Sequence, residues 1–359
     1  MASQQTTTRA RGGNPLVDWS LAANTGAFLV RGGPAVPRDE AQRAVRELRE
    51  LTVDAERHVR ELTGLGADLP LLPGDVVDRP GWVRAAASGL DELTSRALTG
   101  EAEPKAGPFT PLVAGGAGVQ TGVVLAFLGA RVLGQYDPFG GEDRAGRLLL
   151  VAPNVVTAQR AMGVHGRDFR MWVCLHECTH RLQFTAVDWL RDYFADEVGL
   201  LVGGLADTEG LATVVGRLPD AVREARRSKD DGSLALAELL QSPKQREVFD
   251  RLLALSTLLE GHADYVMDAV GPDVVPSVAT IRRRFTVRRK GGGLLDRLLR
   301  SLLGVDAKIK QYALGAAFTR HVVDAVGMAG FNAAWTSPNT LPTRAEIRDP
   351  RAWVRRVHG

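Results

Sequence analysis

Residues 168–184 read DFRMWVCLHECTHRLQF, and the centre of that run is His176-Glu177-Cys178-Thr179-His180, an H-E-x-x-H motif. On an α-helix, side chains four apart stand one above the other, so both imidazoles can reach one tetrahedral Zn2+ at about 2.0–2.1 Å. Glu177 projects beside that point, where it can take a proton from a water made acidic by the metal. At about 100° per residue, Phe169, Trp172, Val173 and Phe184 share the side of the histidines. Met171, Leu175, Cys178 and Leu182 form a second apolar side, leaving a narrow charged strip at Arg170 and Arg181. Such a helix is buried nearly all round, with Asp168 as its expected N-cap. Two bare imidazoles there would lose their hydration, and a metal supplies the missing partner.

A catalytic zinc needs a third protein ligand. The metzincin pattern would require Gly at position 183 and His or Asp at 186; Gln183 and Ala186 exclude it. The better source is residues 258–270, LLEGHADYVMDAV. Glu260 and Asp264 are spaced so that the glutamate can bind zinc while the aspartate, one turn later, takes the free N–H of a metal-bound histidine. His262 is the rival ligand. It and Glu260 flank the apolar stripe from opposite sides, so an unbroken helix cannot present both to one metal. Periodicity leaves the pair open, and the partner offered by Asp264 favours Glu260.

The two cysteines, Cys174 and Cys178, alternate with the histidines but point roughly opposite to them on a helix. They read as small buried core residues rather than ligands. Two thiols four apart on one helix cannot bridge comfortably, so there is no disulfide framework and a reducing cytoplasm is the expected compartment.

The bulk numbers agree with a soluble globular protein: 359 residues, 45% hydrophobic and 24% charged. With 45 basic against 42 acidic residues the balance is near neutral, and no nucleic-acid partner is expected from it. Residues 1–15, MASQQTTTRARGGNP, lack an apolar signal core and read as a disordered tail. Residues 111–130 carry no charge, yet they hold five glycines with Gln120 and Thr121. That composition suits a buried helix packed through its small residues better than a membrane span.

Helices are expected over residues 39–65, 81–98, 168–184, from about 189, over 244–270, 294–303 and 306–326. The proline-punctuated stretch 70–80 reads as a connection, 137–146 as a loop, and 147–152 (RLLLVA) as the best strand. The basic run 281–293, IRRRFTVRRKGGG, interrupts the helical pattern and reads as a solvated face or loop. The expected architecture is mainly α: one helical domain over 16–359, with at most a small β element.

Four blocks in order now define a resemblance: the motif helix, LLEGHADYVMDAVGPDVVP (258–276), the IRRRF run, and QYALGAAFTRHVVDAVGMAGFNAAWTSPNTLPT (311–343). Together they resemble the zincin-like metalloprotease family, whose members often carry the label coenzyme F420 biosynthesis-associated protein. The resemblance extends through most of the chain after residue 17. It implies a soluble, mainly helical bacterial protein with a gluzincin-like zinc site.

The expected chemistry is zinc-dependent hydrolysis of a peptide or protein substrate, with one Zn2+ per chain and Glu177 as general base. Tyr265, Tyr312 and His321 are the candidate second donors for the developing oxyanion. A zinc amidase acting on a small molecule, and a zinc-stabilised binding or scaffold protein, are the alternatives.

Overall fold

The computed structural model describes residues 16–97, 110–141, 146–206, 243–290 and 305–359, apart from the side chains of 97, 110–113, 204–206, 287–290 and 305–312. The expected tail over 1–15 and the helix expected over 294–303 lie outside the described residues.

The motif-bearing helix α6 (Gly166–Thr185) is central, with helix α2 (Arg38–Thr63) on one side and helix α8 (Pro243–Ala269) on another. The inner face of α2 repeats at helical spacing through Ala44, Leu48, Leu51, Ala55 and Val59, all buried. Its C-terminus closes on Gly64, whose φ of 70° is left-handed and suits a residue without Cβ. The charged strip of α6 is absorbed by α2. Arg170 pairs with Glu47 at 3.1 Å, and Arg181 pairs with Glu56, which also accepts from Arg60. Cys174 and Cys178 face the same helix as buried free thiols, the latter donating to the Thr52 carbonyl at 3.3 Å.

Strand β1 (Asp75–Val77), strand β2 (Gly134–Asp137) and strand β3 (Arg147–Val151) form one sheet in the order β1-β3-β2. β1 runs parallel to β3, and β2 runs antiparallel to it with Tyr136 opposite Leu148. The near-continuous apolar run of β3 follows from burial on both faces. Leu148 and Leu150 enter the main core with α2, α6 and α8; Leu149 and Val151 enter a second cluster with Trp82, Val83 and Leu125. Those come from helix α3 (Arg79–Ala97) and helix α4 (Thr110–Gly129), which pack with helix α1 (Trp19–Leu29). The central strand is legible in the sequence, but β1 falls in the stretch that reads as a connection, and β2 lies just before the expected loop and meets it only at Asp137. After β3 the chain turns into α5 (Ala152–Met162), and α7 (Leu190–Ala206) follows the motif helix.

Helix α4 departs from the expected all-round burial. Gly118 and Gly122 press against α1, where a Cβ would lie 2.6 Å from the Asp18 carbonyl oxygen and 2.8 Å from that of Ala22. Its other face is open, with Val119, Val123 and Val124 exposed. Among the described residues no helix is long and apolar enough to cross a membrane.

After α8 come a short α9 (Gly271–Val274), α10 (Val278–Lys290) and α11 (Val305–Phe331). Two short 3-10 turns then lead to α12 (Arg344–Arg348) and α13 (Pro350–His358). The basic run is therefore a helix through Lys290, not a break. Tertiary partners hold two of its charges: Arg282 pairs with Asp264 and Asp268, and Arg284 donates to the carbonyls of Met162 and Gly163. Phe285 meets the Trp172 ring edge-on at 4.9 Å.

A second correction concerns the start of α6. His165 holds the N-cap position, and Asp168 lies inside the first turn. Its carboxylate instead accepts from Ser277 N–H at 2.9 Å and Ser277 Oγ at 2.6 Å, and pairs with His165. Burial alone would raise its pKa, but Ser277 and His165 outweigh burial and hold the carboxyl below its usual value. A depressed carboxyl contributes stability above the unfolded pKa of about 3.9 and loses it as pH falls through the folded value. Asp168→Ala should therefore cost about 1.5–3 kcal/mol at pH 7, the range for hydrogen bonds to a charged group. Urea titrations should find that penalty shrinking at pH 3. An undiminished penalty there would mean that packing, not charge, makes the contact.

Candidate metal centre

His176 and His180 project from successive turns of α6, and α8 brings Glu260 against them. The two Nε2 atoms are 3.2 Å apart, and Glu260 Oε2 lies 3.5 Å from His176 Nε2 and 3.7 Å from His180 Nε2. A tetrahedral zinc with bonds near 2.0–2.1 Å separates its ligand atoms by about 3.3 Å along each edge. The three lone-pair atoms thus already form a triangle of zinc dimensions, and the chemistry of the set, two imidazoles and a carboxylate, fits the same ion.

The electrostatics reflect two imidazoles and a carboxylate drawn together. Burial lowers the His180 pKa, yet the hydrogen bond and charge of Glu260, with help from Glu177 and Gln183, raise it to about 9. Burial would raise Glu260, but the two imidazoles hold its carboxyl well below the usual range. Low pH therefore opposes metal uptake, since the proton and the metal compete for one site.

Glu177, buried at 5% exposure, lies against β2. A Cβ built on Gly134 would lie 2.6 Å from Glu177 Cγ and 2.8 Å from its Oε1. Only glycine lets the strand backbone lie this close over the carboxylate. Further along β2, the Tyr136 ring packs 5.9 Å from Phe184. Phe184 in turn lines a cavity of about 400 Å3 with Arg60, Leu72, Arg181, Asp188 and Arg191.

The outer contacts of the histidines differ from the sequence expectation. His180 Nδ1 lies 2.9 Å from Gln183 Oε1, and His176 Nδ1 lies 3.2 Å from the Met267 sulfur. Asp264 meets neither imidazole; its carboxylate accepts from Arg282 Nη1 at 3.0 Å. The reason is the helical form of the basic run, since α10 delivers Arg282 to the acidic side of α8. His262 is fully buried, with Nδ1 3.1 Å from Gln183 Nε2 and its ring 4.9 Å from that of Phe331. Burial pushes its pKa down to about 3, so it is a neutral core histidine. It stands outside the donor triangle.

Tyr265 faces α11, where the Arg320 guanidinium lies 5.9 Å from its ring and Asp324 adds to the rise in its pKa caused by burial. His321 is half-buried on α11, and the Tyr312 side chain lies outside the described residues. Sequence reasoning missed Gln183, Met267 and Gly134. Gln183 could have been found, because it stands one helical turn beyond His180 on the same face. Met267 repeats the Glu260 face two turns on, a weaker signal, and Gly134 has none.

The comparisons with known proteins agree with this geometry. No functionally curated protein matches the chain in sequence. A crystal structure from Chloroflexus aurantiacus, described as that of a candidate hydrolase with a novel fold, is similar at 29% identity and a TM-score of 0.65. The alignment covers 95% of this chain and 98% of that one. The profile of the zincin-like metallopeptidases matches residues 17–354, nearly the whole length, and this chain belongs to that family.

Proposed function

We propose that the chain is a zinc-dependent peptidase in which His176 Nε2, His180 Nε2 and Glu260 Oε2 hold the ion and Glu177 is the general base. The observation that carries the reading is the donor triangle with Glu177 beside it on the same helix. Zinc, when bound, supplies Lewis acidity and lowers the pKa of water towards about 7. Glu177 takes the proton of the attacking water on its carboxylate and returns it to the leaving amine. Gly134 holds that carboxylate under the strand, so its position is set before substrate arrives.

A peptide substrate also suits β2. Among the described residues it is one of the two edge strands of the sheet, and an extended chain can add to such an edge through main-chain hydrogen bonds. With Gly134 over Glu177 and Tyr136 toward Phe184, a peptide on β2 runs past the base and along the wall of the 400 Å3 cavity. Tyr265 and His321 remain the residues to test as oxyanion donors.

The test joins metal analysis to digestion of a peptide library. About one zinc per chain, and cleavage that stops with chelator and returns with zinc, are expected. Bound zinc without cleavage of any peptide would transfer the site to small-molecule amides or to a structural role. Protein that takes up no zinc would end the reading.

A further inference from the structure

Helix α6 carries a buried polar chain that begins at His180 and leads away from the donor triangle. Gln183 Nε2 lies 3.0 Å from the Leu259 carbonyl oxygen. A carbonyl only accepts, so the amide nitrogen must face it, and the orientation of the Gln183 side chain is fixed. Gln183 Oε1 therefore faces His180 Nδ1 at 2.9 Å, and that ring nitrogen must carry a proton. The remaining Gln183 N–H points to His262 Nδ1 at 3.1 Å, which must accept. The His262 proton then sits on Nε2, an atom that is buried without a hydrogen-bond partner among the described residues. The rings of Phe331 and Trp335, 4.9 and 5.7 Å away, fix that imidazole in place. Each of the three hydrogen bonds made by Gln183 has one possible donor and one acceptor, so the direction is determined from the Leu259 carbonyl to the ring of His180.

We infer that Gln183, anchored by Leu259 and His262, is the positioning residue that keeps the proton of His180 on Nδ1 and leaves Nε2 as the atom that binds metal. The inference rests on the zinc reading above and extends it to residues that touch no metal. It also separates the two histidines. Among the described residues His176 Nδ1 meets the Met267 thioether, a weak acceptor, whereas His180 Nδ1 meets an amide oxygen, a strong one. His262, the rival ligand in the sequence, becomes the far anchor of this chain.

Two measurements test it. Proton–nitrogen spectra of metal-free and zinc-loaded protein should both contain a slowly exchanging His180 Nδ1–H resonance, absent in Gln183→Met. Zinc affinity, by competition against a chelator, should fall about 10–100-fold in Gln183→Met, the usual loss for an outer partner. Gln183→Glu keeps an acceptor for Nδ1–H but cannot donate to the Leu259 carbonyl or to His262, so it should restore the resonance while recovering only part of that affinity. His262→Phe keeps the aromatic packing and should lose several-fold alone but nothing further when combined with Gln183→Met. A wild-type His180 protonated on Nε2 alone would overturn the inference, as would Gln183→Met affinity within about twofold of wild type. Wild-type protein that shows the Nδ1–H resonance but binds no zinc would instead sink the zinc reading and leave the hydrogen-bond chain standing.

Discussion

Glu177→Gln protein is expected to bind zinc like wild type and to lose peptide hydrolysis by roughly 10²–10⁴-fold, the range attributed to a positioned general base. Glutamine matches glutamate in size, so it can occupy the same slot under Gly134, and the donor triangle of His176, His180 and Glu260 is untouched. What it lacks is an oxygen able to take and return a proton. The loss should therefore appear in kcat, with KM nearly unchanged. Gly134→Ala supplies an independent check from the opposite side. A methyl group there meets Glu177 at 2.6–2.8 Å, so the carboxylate or the strand must move. Activity should fall while zinc affinity stays, because Gly134 touches the base and not the ligand atoms. If Glu177→Gln instead empties the site, Glu177 is itself a ligand. If it hydrolyses peptides at the wild-type rate, the base lies elsewhere.

The parts of this site that are legible in the sequence are those written in helical period. α2, α6 and α8 each bury one or more faces at spacings of three and four, and the H-E-x-x-H spacing alone puts His176, Glu177 and His180 on one helix. Glu260 is reachable only as one of a pair with His262, since periodicity leaves the two open and the Asp264 partner that favours it belongs to Arg282. Asp264 shows where such reasoning stops. Its spacing from Glu260 is suitable, but its partner is decided by Arg282, which arrives from a run whose charge density reads as a loop. Local charge pattern does not encode which carboxylates lie across a tertiary contact.

The sheet is hidden for a different reason. β1 has three residues and β2 four, too short for alternation to stand out, and β2 has a glycine at the position that matters most. Gly134 matters because of what presses on it, which only the assembled fold reveals. Helix α4 is the converse case. Its run of small and apolar residues looks alike on every side, and the choice between the face against α1 and the open face is made by Gly118 and Gly122. The aromatic and thioether surroundings of His262 and His176 are likewise tertiary, assembled from residues far away along the chain.

The second large effect is expected at the ligand set, as an ordering of zinc affinities. Glu260→Ala should weaken binding by more than the roughly 100-fold ceiling of an outer partner, because it removes the one negative ligand and leaves two imidazoles. Glu260→Gln should fall short of that loss, keeping an oxygen donor of the same reach without the charge. His176→Ala and His180→Ala belong with Glu260→Ala, since each removes one corner of a triangle whose edges are 3.2, 3.5 and 3.7 Å. Asp264→Ala should leave zinc affinity within about twofold of wild type, a clear departure from a role as histidine partner. Its effect belongs to stability instead. It removes a half-buried partner of Arg282 and loosens the contact between α8 and α10, so Tm should drop while zinc stays bound. The discriminating measurement is chelator competition on all five variants at one pH. That condition matters because Glu260 strengthens the hold of His180 on a proton, and zinc competes with that proton for the site. Retention of zinc by Glu260→Ala together with its loss in Asp264→Ala would invert the assignment. The carboxylate beside the histidines would then be a spectator, and Asp264 would have to swing from Arg282 to the metal.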